Sequence, residues 1–320
     1  METNTPFYKS PLLLGILAAL AVFALCFIAI DYVGSPDDPD EIDVEEAVIA
    51  TTESNPELID LARSQGWIAA DAAEMTTVEA AAVKSLGTAL QGSTLKHFDE
   101  LRHFLGVKEL PAGTFAGSRQ LELITVPSSV VTIDYGAFAD CPALTSLSVD
   151  TANTHYDSRE DCNAVVCTWK GKLMLVAGCR NTRLLDDIRY IAPQAFRGTT
   201  GLKAIALPEK MEEIGAQAFR DCTSLTEFAI PQGVRFVEDS TFMGCTALQT
   251  VTLPKSVERL RKDAFKGCTS LSRIVCIKKY PPIVEDAFEA RTATLVVPKG
   301  MLNTYYTSKY WKDFPNVVEE

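Results

Sequence analysis

The sequence predicts an α/β-type solenoid: a chain coiled into short parallel strands, with a helical N-terminal cap, one inserted β-hairpin and a C-terminal cap. Three observations carry that prediction. Seven phenylalanines, Phe115, Phe138, Phe196, Phe219, Phe242, Phe265 and Phe288, recur every 23 residues with a single gap of 58. A whole apolar set keeps the same phase. Met211, Ile214, Phe219, Cys222, Leu225, Phe228 and Ile230 shift by 23 onto Val234, Val237, Phe242, Cys245, Leu248, Val251 and Leu253. A second shift reaches Val257, Leu260, Phe265, Cys268, Leu271, Ile274 and Cys276. Third, the end of each unit, such as Leu248 to Pro254, alternates β-branched and polar residues and stops at a proline, the mark of a short strand. One coil cannot bury its own apolar residues, whereas stacked coils can.

The elements follow in chain order. Pro11 to Ile30 carries no charge, and about 20 helical residues cover roughly 30 Å, the thickness of a bilayer core. Residues 1–34 are therefore expected to be an uncleaved transmembrane anchor. Lys9 is the only basic residue before the span, which places the N-terminus in the cytoplasm and the rest outside. Residues 35–56, rich in Asp, Glu and Pro, read as a solvated acidic tether. Residues 57–100 read as a helical N-cap, with a Thr76-x-x-Glu79 capping box opening onto Ala80 to Val83.

The repeats occupy residues 101–298. The gap of 58 equals one unit plus 35 residues, an insert at about 150–184. Inside it, Ala164 to Trp169 and Leu173 to Ala177 flank the turn Lys170-Gly171-Lys172, which predicts a β-hairpin. Pairing about that turn brings Cys162 and Cys179 near each other, either as a disulfide or as free thiols. Cys167 has no evident partner. Cys141, Cys222, Cys245 and Cys268 share one repeat phase with Ser118 and Thr199, so the phase asks for a small, weakly polar core residue. Residues 299–320 read as the C-terminal cap. Leu295 and Val297 mark a final strand, and Met301, Tyr305, Trp311, Phe314 and Val317 supply apolar cover.

The stretch QAFRDCTSLTEFAIP, Gln217 to Pro231, resembles the BspA-like class of leucine-rich repeats, with its Ala-Phe pair, its Cys and its Leu-x-x-Ile-x-Ile-Pro ending. The resemblance covers about residues 101–320, and it implies a right-handed leucine-rich-repeat coil that serves as a surface or secreted binding protein. His155 to Val166 and Ala293 to Glu319 resemble the family's insert and terminal segment. Trp67 to Gly87 resembles a cap in which a 12-residue calcium loop precedes the helix. A calcium loop needs oxygen ligands at its first, third and fifth positions and glycine at its sixth. With Glu79 aligned as the twelfth, these are Ile68, Ala70, Ala72 and Ala73, so no metal is expected.

A net charge of −12 argues against nucleic acid and anionic membrane surfaces as partners. No phosphate loop, Cys-x-x-Cys pair or nucleophile elbow occurs, so neither catalysis nor a cofactor is expected. His97 and His103 with Asp99 and Glu100, and Cys162 or Cys167 with His155 and Asp157, have suitable residue types but no supporting signature. What remains is the outward face of the strands: Leu123, Thr125, Ser146, Ser148, Ala204, Ala206, Glu227, Ala229, Thr250, Thr252, Arg273 and Val275. These residues are mostly small and neutral. They suit close approach of a protein or glycan ligand, the expected partner. The alternative is a structural spacer or assembly scaffold of the cell envelope.

Overall fold

Each phenylalanine sits at the apex of a tight turn, and that turn explains the repeat. The computed structural model describes residues 44–320. The anchor at 1–34 and the first part of the tether lie outside the described residues. Two residues before the ring the backbone takes a positive φ at Gln194, Gln217, Ser240, Asp263 and Asp286, between 54° and 61°. Two residues after it the same conformation recurs at Asp140, Gly198, Asp221, Gly244 and Gly267. That region favours Gly, Asn and Asp, so the Gly and Asp residues flanking the ring meet a backbone requirement, while Gln194, Gln217 and Ser240 are held there by the turn.

The turns stack through a backbone ladder. The amide of Phe196 donates to Ala218 O at 2.8 Å, Phe219 to Thr241 O at 2.9 Å, Phe242 to Ala264 O at 2.8 Å and Phe265 to Ala287 O at 2.8 Å. The rings stack with it. Phe196, Phe219, Phe242, Phe265 and Phe288 lie 5.2 to 5.7 Å apart at centroids, with planes within 9° of parallel. The cysteine phase has a specific task. Cys222, Cys245 and Cys268 direct Sγ at the carbonyls of Phe196, Phe219 and Phe242, at 3.1 to 3.2 Å, and Cys141 does the same to Phe115 at 3.0 Å. Ser118 makes the corresponding bond to Leu90 O at 2.6 Å. Burial pushes the Cys141 and Cys268 thiols up to about 12, so they stay protonated donors.

Away from the insert, the coils contribute one longer and one shorter strand to two parallel ladders. Glu227–Ala229, Thr250–Leu253 and Arg273–Cys276 pair in register at the 23-residue shift, and Thr294–Val297 and Asn316–Glu319 complete a five-stranded sheet. His97–Phe98, Leu123–Val126 and Ser146–Val149 form the corresponding sheet before the insert. Short pairs such as Phe236–Val237, Arg259–Leu260 and Ile283–Val284 make the second ladder. The "α/β" label overstates the helix. The Ala-Phe segments are turns, because two positive-φ residues per coil leave no room for a helical run. Leu271, in a core phase, is only half-buried.

The insert reshapes the middle of the coil. Ala164–Trp169 runs antiparallel to Lys172–Gly178, which pairs parallel with Ile188–Ile191 and through it with Glu213–Ile214. These strands belong to the shorter ladder and do not hang from it. At their end the Gly178 amide donates to Ala195 O at 2.9 Å, and the backbone lies so close to Phe196 that a Cβ there would meet the ring at 2.2 Å. The longer ladder breaks at this level. Residues 203–207 form no strand, and Ile205 and Leu207, due in the core by phase, are half-exposed. Cys162 and Cys179 are buried free thiols, directed at Ala164 O and Asn163 O respectively.

Both ends depart from the expected boundaries. Val48–Thr51 pairs antiparallel with Glu74–Thr76, so the tether cannot extend as a solvated segment to residue 56. Helix α1, Pro56–Gln65, is capped by Asn55 and by Gly66 in the left-handed region. Helix α2, Thr77–Ala82, opens on the Thr76/Glu79 capping box. Among the described residues no helix is long and apolar enough to cross a membrane. At the other end the last strand is Asn316–Glu319, one coil beyond the expected final strand at 295–297, which it covers. The path there includes helix α3, Leu302–Tyr306. Tyr280, in phase with Val234 and Val257, turns to solvent at 74% exposure. Tyr305 Oη and Trp311 Nε1 donate to the flanking carbonyls of Lys278 and Pro282, both at 2.7 Å.

Two substitutions test this packing. Phe242→Ala should lower stability by about 3 to 5 kcal/mol, against roughly 0.5 kcal/mol or less for the exposed Lys255→Ala, as measured by denaturant unfolding. Gly178→Ala should cost about 1 to 3 kcal/mol through overpacking; equal stability to wild type would remove the ring contact as the reason for glycine there.

Candidate functional site

The parallel register sets outward side chains in straight rows, because residues paired across strands point the same way. After the insert one row is Glu227, Thr250, Arg273, Thr294 and Asn316, and the other is Ala229, Thr252, Val275, Val296 and Val318. Before the insert the rows are Leu123 with Ser146 and Thr125 with Ser148, whose hydroxyls bond at 2.9 Å. The candidate face is thus two patches. Ala204 and Ala206, expected to link them, are exposed but lie outside any strand, since the ladder is broken at their level. Arg273 is tied down by Glu320 at 2.7 Å, which removes its charge as a free anchor.

Four positions of these rows escaped the sequence reading, of which Val296 is buried. Thr294 and Val296 pair 21 positions after Arg273 and Val275, and Asn316 and Val318 another 22 after those. Both steps break the 23-residue period. The detectable signal was a second short valine-rich stretch, Asn316 to Glu319, after the one at Thr294 to Val297.

The constellations weighed for chemistry are not assembled. Asp157 is held by Arg159 through a bidentate contact, while His155 Nδ1 meets Thr154 Oγ1 at 3.1 Å. The thiols of Cys162 and Cys167 are raised by burial, the latter to about 11, the reverse of nucleophile activation. Glu79, aligned as a calcium ligand, spends Oε2 on Thr76, at 2.8 Å to N and 3.0 Å to Oγ1. His97 lies on a strand and His103 ends the 3-10 helix Asp99–His103.

A family model described as "BspA type Leucine rich repeat region" matches residues 94–160 and 177–294, in six copies. Among solved structures, the chain resembles the pneumococcal vaccine antigen PcpA, with a TM-score of 0.52 and 17% identity over 68% of this chain and 66% of that one. A leucine rich cell surface protein from Faecalibacterium prausnitzii gives 0.48 and 19%, over 62% of this chain and 60% of that one. A leucine-rich repeat protein from Eubacterium ventriosum gives 0.46 and 21%, over 60% and 57%. The chain therefore spans less than two thirds of each of these, and identities this low speak for the fold alone. No curated protein matches the chain.

The insert sheet carries a polar cluster that the sequence reading did not anticipate. Cys167, Met174, Tyr190 and Glu213 form one cross-strand row. Trp169 packs edge-on against Tyr190 at 5.0 Å, and Lys170 Nζ lies 3.9 Å above the Trp169 ring. Lys172 and Tyr190 Oη share the Glu212 carboxylate at 2.6 and 3.0 Å. Neighbouring Glu213 fares differently. Burial pushes its carboxyl up to about 7, opposed only partly by Lys170, and its Oε1 is buried without a hydrogen bond. Tyr135 and Tyr190, which feel its charge, are themselves raised by burial.

The sign of the pH effect follows. A carboxyl raised in the folded state binds its proton more tightly there, so its contribution is fully present below about pH 4.5 and is lost as pH rises through 7. Glu213→Gln should therefore melt higher than wild type at pH 8 and differ little at pH 4.5, in thermal scans across that range. A wild-type advantage at pH 8 would mean the carboxylate is better solvated than its burial implies.

Proposed function

The chain belongs to the BspA-type leucine-rich repeat family, and from that premise we propose that it is a non-catalytic recognition protein that holds a protein or glycan ligand against the outward face of its longer strand ladder. One observation supports this most. Five strands in unbroken register present Ala229, Thr250, Thr252, Thr294 and Val275 as a flat field of small side chains. Small residues allow another surface to approach the sheet closely, at little side-chain entropy. The field lacks aromatic and free Arg anchors, so affinity arises from area and complementarity more than from a few dominant contacts. Attachment through an apolar segment at residues 11–30, with the repeats outside the cytoplasm, completes the proposal.

Two measurements test it. Purified chain is screened on an array of matrix glycoproteins and glycans. Ala229→Arg or Thr250→Arg should weaken any captured ligand at least tenfold with melting temperature unchanged. Thr168→Arg, on the insert hairpin, should leave it intact. Loss with Thr168→Arg alone moves the site to the insert. Protease treatment of intact cells should remove the repeats; full protection contradicts a surface role and leaves the scaffold reading in its place.

A further inference from the structure

We propose that copies of this chain join end to end, the acidic apolar patch around Val48 and Val78 of one copy seating on the basic apolar patch around Tyr280 of the next. The contact is separate from the strand face and does not depend on it. Of the eight large apolar side chains exposed among the described residues, five fall in two places: Val48 and Val78 in one, Ile277, Tyr280 and Ile283 in the other. The first two are neighbours, because Val48 pairs with Thr76, and Thr77 N bonds Ala47 O at 2.8 Å. The other three share one loop. It stacks on the coil before it through Ile277 N to Leu253 O at 3.0 Å and Ile283 N to Glu258 O at 2.9 Å.

Charge assigns the two patches to each other. Residues 44–100 hold ten acidic and three basic side chains, while residues 255–320 hold twelve basic and eight acidic, so the two regions are opposite in sign. Exposed Glu45 and Glu46 precede Val48, and no Lys or Arg occurs between residues 44 and 62. Lys278 and exposed Lys279 precede Tyr280, and exposed Lys255 lies one coil back at the position that the Leu253–Cys276 pairing aligns with Lys278. Two carboxylates at this level are engaged, Glu258 by Arg235 and Glu285 by Arg259, which leaves the lysines in excess. Tyr280 is the anchor. The carbonyls of Lys278 and Pro282 on either side of it are held at 2.7 Å by Tyr305 and Trp311, and Pro281 and Pro282 stiffen the loop, so the ring is fixed in solvent before a partner arrives. A preorganised aromatic of this kind is the residue type that dominates interfaces. Its complement is an apolar surface ringed by carboxylates, which this chain itself carries. Stacked coils separate the two patches, so they meet only between copies, and a head-to-tail contact repeats from one copy to the next.

Sedimentation velocity of the full chain in mild detergent tests this. In about 50 mM salt the average mass should rise with concentration to at least twice that of one chain, and about 500 mM salt should weaken the association at least tenfold. Tyr280→Ala, the pair Lys255→Glu/Lys279→Glu, and the pair Glu45→Lys/Glu46→Lys should each weaken it at least tenfold with melting temperature unchanged. Mixing the two charge-reversed chains should restore it, since each then offers the sign the other needs. Single chains at every concentration, association that ignores salt and these substitutions, or no recovery on mixing each overturns the proposal. Thr250→Arg should leave association unchanged, so failure here is distinct from failure of the strand-face reading.

Discussion

Everything in this molecule depends on the amide ladder that ties successive Ala-Phe turns together on either side of the insert. The ladder sets the distance between coils, and the phenylalanine rings, the cysteine donors and both strand ladders must match it. Non-glycine residues in the left-handed region, such as Gln217 and Ser240, are unfavourable alone. They persist because each turn is held on both sides by hydrogen bonds and by a ring packed over a ring. The cysteine phase belongs to the same device, since each thiol there bonds the carbonyl of the preceding phenylalanine and the Ser118 hydroxyl bonds Leu90 O in the coil before.

The insert shows what happens when that spacing is disturbed. Gly178 enters where the preceding coil would place its turn, and only a residue without a Cβ fits against Phe196. One bond of the turn ladder spans the intrusion, Asp140 N to Arg197 O at 2.9 Å, beside an ion pair of the two side chains at 3.1 Å. The longer strand ladder does not survive it, and Ala204 to Leu207 are left unpaired. Asn163 covers part of the resulting edge, its side chain bonding Leu147 N at 2.8 Å and Thr145 O at 2.7 Å. This division makes the five-stranded patch after the insert the larger of the two parts of the strand face.

The proposed strand face is a consequence of regularity, because the register keeps like positions in rows. A solenoid resolves its ends by capping. Here the cap closes the core with Trp311 and Phe314, which meet Phe288 edge-on.

The sequence by itself determined the repeat, its phase and the buried positions, because a fixed 23-residue spacing can only be satisfied by stacked coils with the same residues inward. It also settled the family, since Ala-Phe, Cys and the proline-ended strand answer to turn, donor and ladder at once. Tertiary structure alone decided where the pattern fails. Whether Ala204 pairs, whether Leu271 is covered, and whether Tyr280 enters the core depend on neighbours far along the chain, on Gly178, Tyr305 and Trp311. The elevated Glu213 carboxyl was equally hidden, because its surroundings come from the hairpin and two separate coils. Periodicity reports contacts between equivalent residues, and it is silent on contacts between residues that have no equivalent.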